Sequence, residues 1–498
     1  MSPGFNLYDL FGAAARAAGE TACIVEEGRT LLSYDELDRA SAAWANALGT
    51  LGARQGDRII VQAEKSVEIL LLYLAGLRAG LVHVPLNPAY TPSEVGYFVA
   101  DAEPALIVCD SGREEALAAI SGGPKIVSLD GLATLASAHA EDFDTVRLTP
   151  DDLAAILYTS GTTGRSKGAM LSHSNLASNA IVLKEAWRWQ VGDVLIHALP
   201  TYHVHGLFVA LHGALLNGST MLWHRAFSAN AVLADLPRAT ILMGVPTFYV
   251  RLAAHPGLNR EAAAGMRLFV SGSAPLLEST FAEFEAKTGH PILERYGMTE
   301  AGMICSNPYD GDRIPGTVGF ALPGVEARVA DENGRELPRG EPGTLEIKGP
   351  NLFRGYWRQP DKTAEAFRPD GFFITGDIAT MDEDGRVAIV GRGSDMIIAG
   401  GLNLYPREIE LAIDSVPGVA ESAVIGVPHP DLGEAAVAVV VRSDPGLEPE
   451  SIVERVSGQL ARFKIPRRIL FVEALPRNAM GKVQKAALRR AYNNIFTS

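Results

Sequence analysis

Tyr158-Thr159-Ser160-Gly161-Thr162-Thr163-Gly164-Arg165-Ser166-Lys167-Gly168 follows the apolar run at residues 153–157. The run reads as a buried strand, and the segment after it packs hydroxyls, glycines and a lysine into one short loop. Glycines let the backbone turn and approach a ligand closely. Exposed backbone N–H groups, hydroxyls and a lysine together cradle an anion, and a polyphosphate is the natural guest. The spacing departs from the Walker A pattern, because Gly161 and Gly164 are too close and Gly168 follows Lys167.

Around this loop the chain alternates between strand and helix. Ser33-Tyr34-Asp35-Glu36 has the form of a capping box. Leu37, Trp44, Leu48 and Leu51 then share a helical face, and Gly52 is the stop signal. Residues 65–79 read as a core helix, too short in its apolar part to cross a bilayer. Strands are expected at residues 81–85, 105–109, 194–199, 220–223, 241–245 and 268–270. Strands interleaved with helices predict an α/β fold with mostly parallel sheet. After about residue 310, Asp331-Glu332-Asn333-Gly334 and Asp382-Glu383-Asp384-Gly385 mark hairpin turns, and a β-rich subdomain is expected to about residue 392. Gly391-Arg392-Gly393-Ser394 reads as a break. A small α+β domain over residues 393–498 follows it.

The bulk composition narrows the function classes. With 498 residues the chain is long enough for more than one domain. A net charge of −14 argues against nucleic acid as a partner. Cys23, Cys109 and Cys305 are scattered, which suits buried thiols in a reducing cytoplasm better than disulfides or a zinc site. No membrane partner is expected, and the N-terminus lacks a signal-peptide pattern.

Five ordered motifs then give the chain a resemblance to the adenylate-forming (AMP-binding) superfamily. They are residues 158–168; Tyr296-Gly297-Met298-Thr299-Glu300; Thr375-Gly376-Asp377; Gly391-Arg392 with Asp395; and Pro476-Arg477-Asn478 with Gly481-Lys482. Within it the chain looks most like malonyl-CoA synthetases, on His197-Ala198-Leu199-Pro200, Tyr202-His203-Val204-His205-Gly206, residues 243–251 and Ser271-Gly272-Ser273-Ala274-Pro275. The resemblance implies a large N-terminal domain (1–392) with two mostly parallel sheets, and a mobile C-terminal domain hinged near Ser394.

It also implies a reaction. A carboxylate attacks the α-phosphorus of ATP, and CoA then takes the acyl group from acyl-AMP. Thr159, Ser160, Gly161, Thr162, Thr163, Gly164 and Lys167 would hold phosphates, and Thr299 the α-phosphate. Glu300 would hold Mg²⁺. Tyr296, Gly297 and Met298, with Ser273 and Ala274, would enclose the adenine. Asp377 is expected in a turn, binding the ribose hydroxyls, with Arg392 beside it. Lys482 would bridge the attacking carboxylate and the α-phosphate, so a lysine acetyltransferase acting on it would remove the bridging charge. Gly400 and Gly401 would border a CoA channel.

For the acid, Arg251 is expected on the pocket wall, binding a distal carboxylate in a fork, with Ser271 donating and His203 and His205 gating. Ser394 stands where the family usually has Asp or Lys, and Ala301-Gly302-Met303-Ile304-Cys305 departs from the usual run after the Thr-Glu pair. The acid is therefore left open between malonate, methylmalonate and another short acid. Phe227 is followed by Ser228, which disfavours an amino-acid substrate. A nucleotide-binding protein without ligase activity is the alternative of another class.

Overall fold

The computed structural model describes residues 4–120, 123–159, 166–400, 402–478 and 481–496. The chain divides into two compact units. One comprises residues 1–315, 319–326 and 348–371, the other residues 316–318, 327–347 and 372–498.

The first unit carries two sheets. In the six-stranded sheet, Lys125–Ser128, Leu106–Cys109, Arg58–Gln62, Val82–Pro85 and Leu153–Thr159 run parallel, and Lys167–Ser172 closes one edge antiparallel. The nine-stranded sheet has a parallel centre of Ala22–Glu26, Thr220–Trp223, Val194–His197, Ile241–Gly244, Leu268–Ser271 and Leu293–Met298. Its outer strands are antiparallel. Parallel strands covered on both faces read as unbroken apolar runs, and Ile241–Gly244 and Leu268–Ser271 are buried at every position. The α/β expectation therefore holds.

Local signals act where the sequence placed them. Ser33 and Glu36 form the reciprocal capping box that opens helix Tyr34–Thr50. Helix Val67–Arg78 is buried from Ile69 onward, which explains an apolar run without a polar face. His205–Leu211 is a π-helix that continues into helix His212–Asn217. Wide-turn helices of this kind are uncommon and concentrate at functional sites. All three cysteines are buried and free.

The second unit holds most of a four-stranded sheet, Glu326–Ala330, Gly343–Lys348, Phe373–Met381 and Val387–Arg392, in which the last three strands run antiparallel. A five-stranded sheet, centred on Val419–His429 and Gly433–Arg442, packs with helices Pro406–Asp414 and Lys485–Tyr492. Residue 392, where the sequence placed a domain boundary, lies inside this unit.

Candidate active site

The phosphate end of the first unit is built on two hairpins. Thr159 and Lys167 are the last register pair of Leu153–Thr159 and Lys167–Ser172. The hydroxyl–glycine segment joins these two antiparallel strands, and Ser160, Gly161, Thr162, Thr163 and Gly164 lie outside the described residues. Lys167 Nζ sits 4.7 Å from the centroid of the Tyr356 ring. Tyr356 Oη donates to Glu300 Oε1 at 3.1 Å. Burial and the Glu300 charge push the phenol pKa up, so it remains a donor. One aromatic ring therefore holds a cation on its face and a carboxylate at its hydroxyl.

Thr299 and Glu300 occupy the tight turn between Leu293–Met298 and Gly302–Ser306, where Met298 faces Gly302. A Cβ on Gly302 would lie 2.6 Å from Asn179 Oδ1, so the turn needs glycine there, at φ +57°. The Asn179 side chain imitates a strand edge. It donates to Met303 O at 2.9 Å and accepts from Met303 N at 3.0 Å. Asn351 Nδ2 donates to Ala301 O at 2.7 Å. The buried carboxylate of Glu300 thus projects from a turn clamped by asparagines. Tyr296 and Gly297 lie on the strand entering this turn, and a Cβ on Gly297 would fall 2.2 Å from Gly302 O.

The acid end lies at the carboxyl ends of the nine-stranded sheet, the usual position for ligands in parallel α/β sheets. Arg295, on Leu293–Met298, is 4% exposed, and its Nε and Nη2 have no hydrogen-bond partner among the described residues. Burial pushes its pKa down to about 9. Its guanidinium lies against Gly272, where a Cβ would come 2.5 Å from Arg295 Cζ. Ser271 Oγ and His205 Nε2 are also buried without a partner among the described residues. His205 Nδ1 lies 3.2 Å from Ser273 Oγ, and Ser273 adopts φ +71°, a left-handed conformation that a serine rarely takes. Burial, followed by the Arg295 charge, holds the His205 imidazole well below its ordinary pKa.

Buried polar groups are almost always paired. Arg295 against Gly272, Ser271 next to that glycine, and His205 beside Ser273 each keep a buried polar atom without a partner among the described residues. A carboxylate offers negative charge to the guanidinium and lone pairs to the hydroxyl.

This geometry corrects one expectation. Arg251 is exposed, on helix Pro246–Ala253, whose buried residues are Tyr249, Leu252 and Ala253. Helical spacing turns position 251 away from that face. Sequence reasoning also missed Arg295 and Tyr356. Arg295 had a signal, since a charge interrupts what should be an apolar central strand, Leu293-Glu294-Arg295. Tyr356 had none, being far in sequence from both groups it joins.

In the second unit, Asp377 sits within strand Phe373–Met381, at a bulge where Gly376 has φ +75° and the pairing register shifts. A turn was expected, so the bulge is a second correction. Bulges re-aim side chains beside functional sites. Asp377 faces Arg392 across the ladder, with 3.6 Å between Oδ1 and Nε. Ser394 lies exposed in the turn Gly393–Asp395, and Arg489 pairs with Asp395 at 2.5 Å. Gly400 is exposed at φ +58° beside the short strand Ile397–Ala399, and Gly401 lies outside the described residues. Lys482 sits in a hairpin-like turn: its N–H donates to Asn478 Oδ1 at 3.0 Å, and its carbonyl accepts from Asn478 N at 2.9 Å. Two ion pairs flank it, Arg477–Glu421 and Lys485–Glu410.

Sequence profiles for "AMP-binding enzyme" and "AMP-binding enzyme C-terminal domain" match residues 10–357 and 408–482. The chain belongs to the AMP-binding enzyme family. Among solved structures, it is similar to ATP-bound MatB from Rhodopseudomonas palustris, with 53% identity, a TM-score of 0.95, and coverage of 99% of this chain and 100% of that one. Among curated family members it is similar to a malonate–CoA ligase of Arabidopsis thaliana, 36% identical over 89% of this chain and 79% of that protein. A feruloyl-CoA synthase of Amycolatopsis is 35% identical, over 95% and 96%. Near-equal identity to enzymes named for different acids means that overall likeness does not choose the acid within the family. No helix among the described residues is long and apolar enough to cross a membrane.

Proposed function

We propose that this chain joins malonate to coenzyme A at the expense of ATP, through malonyl-AMP, releasing pyrophosphate and AMP. The observation that carries the choice of acid is the buried, unpaired Arg295. An apolar acyl tail leaves such a guanidinium uncompensated, which is strongly unfavourable. The distal carboxylate of malonate pairs with it.

The reaction follows in two steps. One malonate carboxylate oxygen bonds to the α-phosphorus of ATP as the bond to pyrophosphate breaks. The CoA thiolate then bonds to the acyl carbon, and the acyl–oxygen bond to AMP breaks. Arg295, Ser271 and His205 anchor the distal carboxylate, and the other carboxylate is the nucleophile. Thr159, Lys167 and Thr299, with the loop between 159 and 167, hold the phosphates. Lys482 bridges nucleophile and α-phosphate as a point charge. Asp377 and Arg392 hold the ribose. The buried Glu300 carboxylate fits Mg²⁺, which takes one or two carboxylates with phosphates and water, and the ion would neutralise charge on the departing phosphates. The last hundred residues are read as a mobile domain, with Gly400 and Gly401 lining the thiol channel in one orientation. The cytoplasm is the compartment proposed, on the free buried thiols. Acetylation of Lys482 belongs to the same reading as a control point, and mass spectrometry of protein from cells tests it.

The decisive experiment is pyrophosphate release with a panel of acids: malonate, methylmalonate, succinate, butyrate and ferulate. Malonate is expected to lead, and ferulate or butyrate leading would overturn the assignment. Lys482→Ala is expected to lose about a thousand-fold or more in malonyl-AMP formation, as when a transition-state charge contact is removed. Supplied malonyl-AMP should still be converted to malonyl-CoA. Equal loss in both half-reactions would reject the role given to Lys482.

A further inference from the structure

Lys65 follows strand Arg58–Gln62 and is 6% exposed, yet no carboxylate among the described residues lies within ion-pair distance. Its Nζ approaches His197 Nδ1 at 2.7 Å, His197 O at 2.6 Å and His224 O at 2.8 Å. The ammonium also lies 4.2 Å from the Trp223 ring centroid, and that ring stacks on His197 at 4.8 Å. Burial pulls the lysine pKa well down, and the charge of Glu26, beyond ion-pair distance, pulls it back up. The hydrogen bonds pull the other way. Two carbonyl oxygens and one ring nitrogen are acceptors, and only the ammonium form carries three N–H donors. The Trp223 face adds cation–π attraction.

The same accounting fixes the His197 tautomer. His197 Nε2 lies 3.0 Å from the carbonyl oxygen of Gly206, which can only accept. The proton is therefore on Nε2, and Nδ1 accepts from Lys65. Burial and the Lys65 charge keep the ring neutral. Gly206 is the second residue of the π-helix, directly after His205. A Cβ on Gly206 would lie 2.0 Å from Pro200 O, so the backbone is pressed against its neighbour at this point. Two restraints therefore hold the start of the π-helix: the imidazole donor and the close approach to Pro200.

We infer that Lys65 and His197 form a positioning relay that sets the placement of His205 at the acid end, and hence the affinity for the distal carboxylate. The inference rests on the acid reading above. Neither residue reaches the reacting atoms. Lys65 fixes one imidazole tautomer, and that tautomer holds the Gly206 carbonyl. The Gly206–Leu207 peptide, one residue beyond His205 in the same π-helix, is thereby held in place. The nucleotide groups lie on other segments, so the relay should act on the acid alone.

Two substitutions at one position separate this role from simple packing. In His197→Gln the amide nitrogen reaches the Nε2 position and donates to Gly206 O. In His197→Asn the side chain reaches only the Nδ1 position and leaves that carbonyl without its donor. The Asn variant is expected to raise the KM for malonate about ten-fold, the effect of one lost buried hydrogen bond, with the KM for ATP within two-fold. The Gln variant should stay within three-fold of the parent for both substrates. Equal losses in the two variants, or a loss shared equally by ATP, would overturn the relay. A measurement on the unaltered protein needs no variant to fold: ¹⁵N spectra of histidine-labelled protein, the His197 ring assigned with His197→Gln, should show a neutral Nε2–H ring from pH 6 to 8. A ring protonated on Nδ1, or titrating in that range, also overturns it. If the parent turns over no dicarboxylate, the acid reading fails; if it does and the Asn–Gln difference is absent, only the relay fails.

Discussion

The phosphate end and the acid end of the first unit are both made of charged groups, yet they are built on opposite rules. At the phosphate end each charge already has company. Lys167 rests on Tyr356, and Tyr356 donates to Glu300. Those residues sit at or beside hairpin turns, where glycines and hydroxyls are common currency. At the acid end the charge is buried without a partner among the described residues. Arg295, Ser271 and His205 come from two strands and a π-helix, and each keeps an unpaired polar atom among the described residues. The first arrangement suits the chemistry that the whole family shares, because it is stable whichever acid is bound. The second is complete only with one kind of substrate. On the proposed reading, selectivity resides where the fold is least satisfied.

Arg295→Leu is the strongest test of that contrast. Removing one partner of a buried charge pair costs about 3–5 kcal/mol, so kcat/KM for malonate should fall about a hundred- to several-thousand-fold. The KM for ATP should hold. Thermal stability should hold or rise, since the empty pocket no longer carries an uncompensated cation. Relative activity on butyrate should increase. If malonate and butyrate fall together, the guanidinium is structural and the contrast collapses. Glu300→Gln probes the other end, with a smaller effect. An amide is a poorer ligand for a hard cation, so the Mg²⁺ needed for half-maximal turnover should rise about ten-fold while the preference among acids stays the same. A changed acid preference would mean that the two ends are not separate. The smallest effect is expected at Arg251. Its exposure implies that Arg251→Leu leaves malonate kcat/KM within about two-fold, as surface substitutions usually do. A large, malonate-specific loss there would return the acid pocket to the helix Pro246–Ala253.

The difference between the two ends also explains what the sequence disclosed. The phosphate loop, the Thr299–Glu300 turn and Lys482 lie in contiguous motifs whose residue types announce their chemistry. The parallel sheets were legible because strands buried on both faces leave apolar runs. The acid end was only half legible. Ser271 and His205 were singled out, but the cation was placed on Arg251, although Tyr249 and Leu252 already mark the buried face of that helix. Arg295 was passed over because it lies just ahead of the Tyr296–Glu300 motif, and its burial depends on strand neighbours distant in sequence. Asp377 was expected in a turn because Gly376 breaks the strand pattern, whereas a bulge absorbs the glycine and lets the strand continue. The Tyr356 bridge and the Lys65–His197 contact are products of tertiary packing, which no local pattern encodes.

The bare backbone at Gly272 has a consequence for how relatives of this chain are interpreted. A methyl group at that position meets the far end of a flexible arginine rather than main chain. Gly272→Ala would therefore leave the fold standing and push the guanidinium aside. A lineage can thus abandon dicarboxylates through one added carbon, with every charged residue still in place. Substrate assignment by inheritance of Arg295 alone would misname such descendants. On the proposed reading, glycine at 272 is as much a requirement for malonate as arginine at 295.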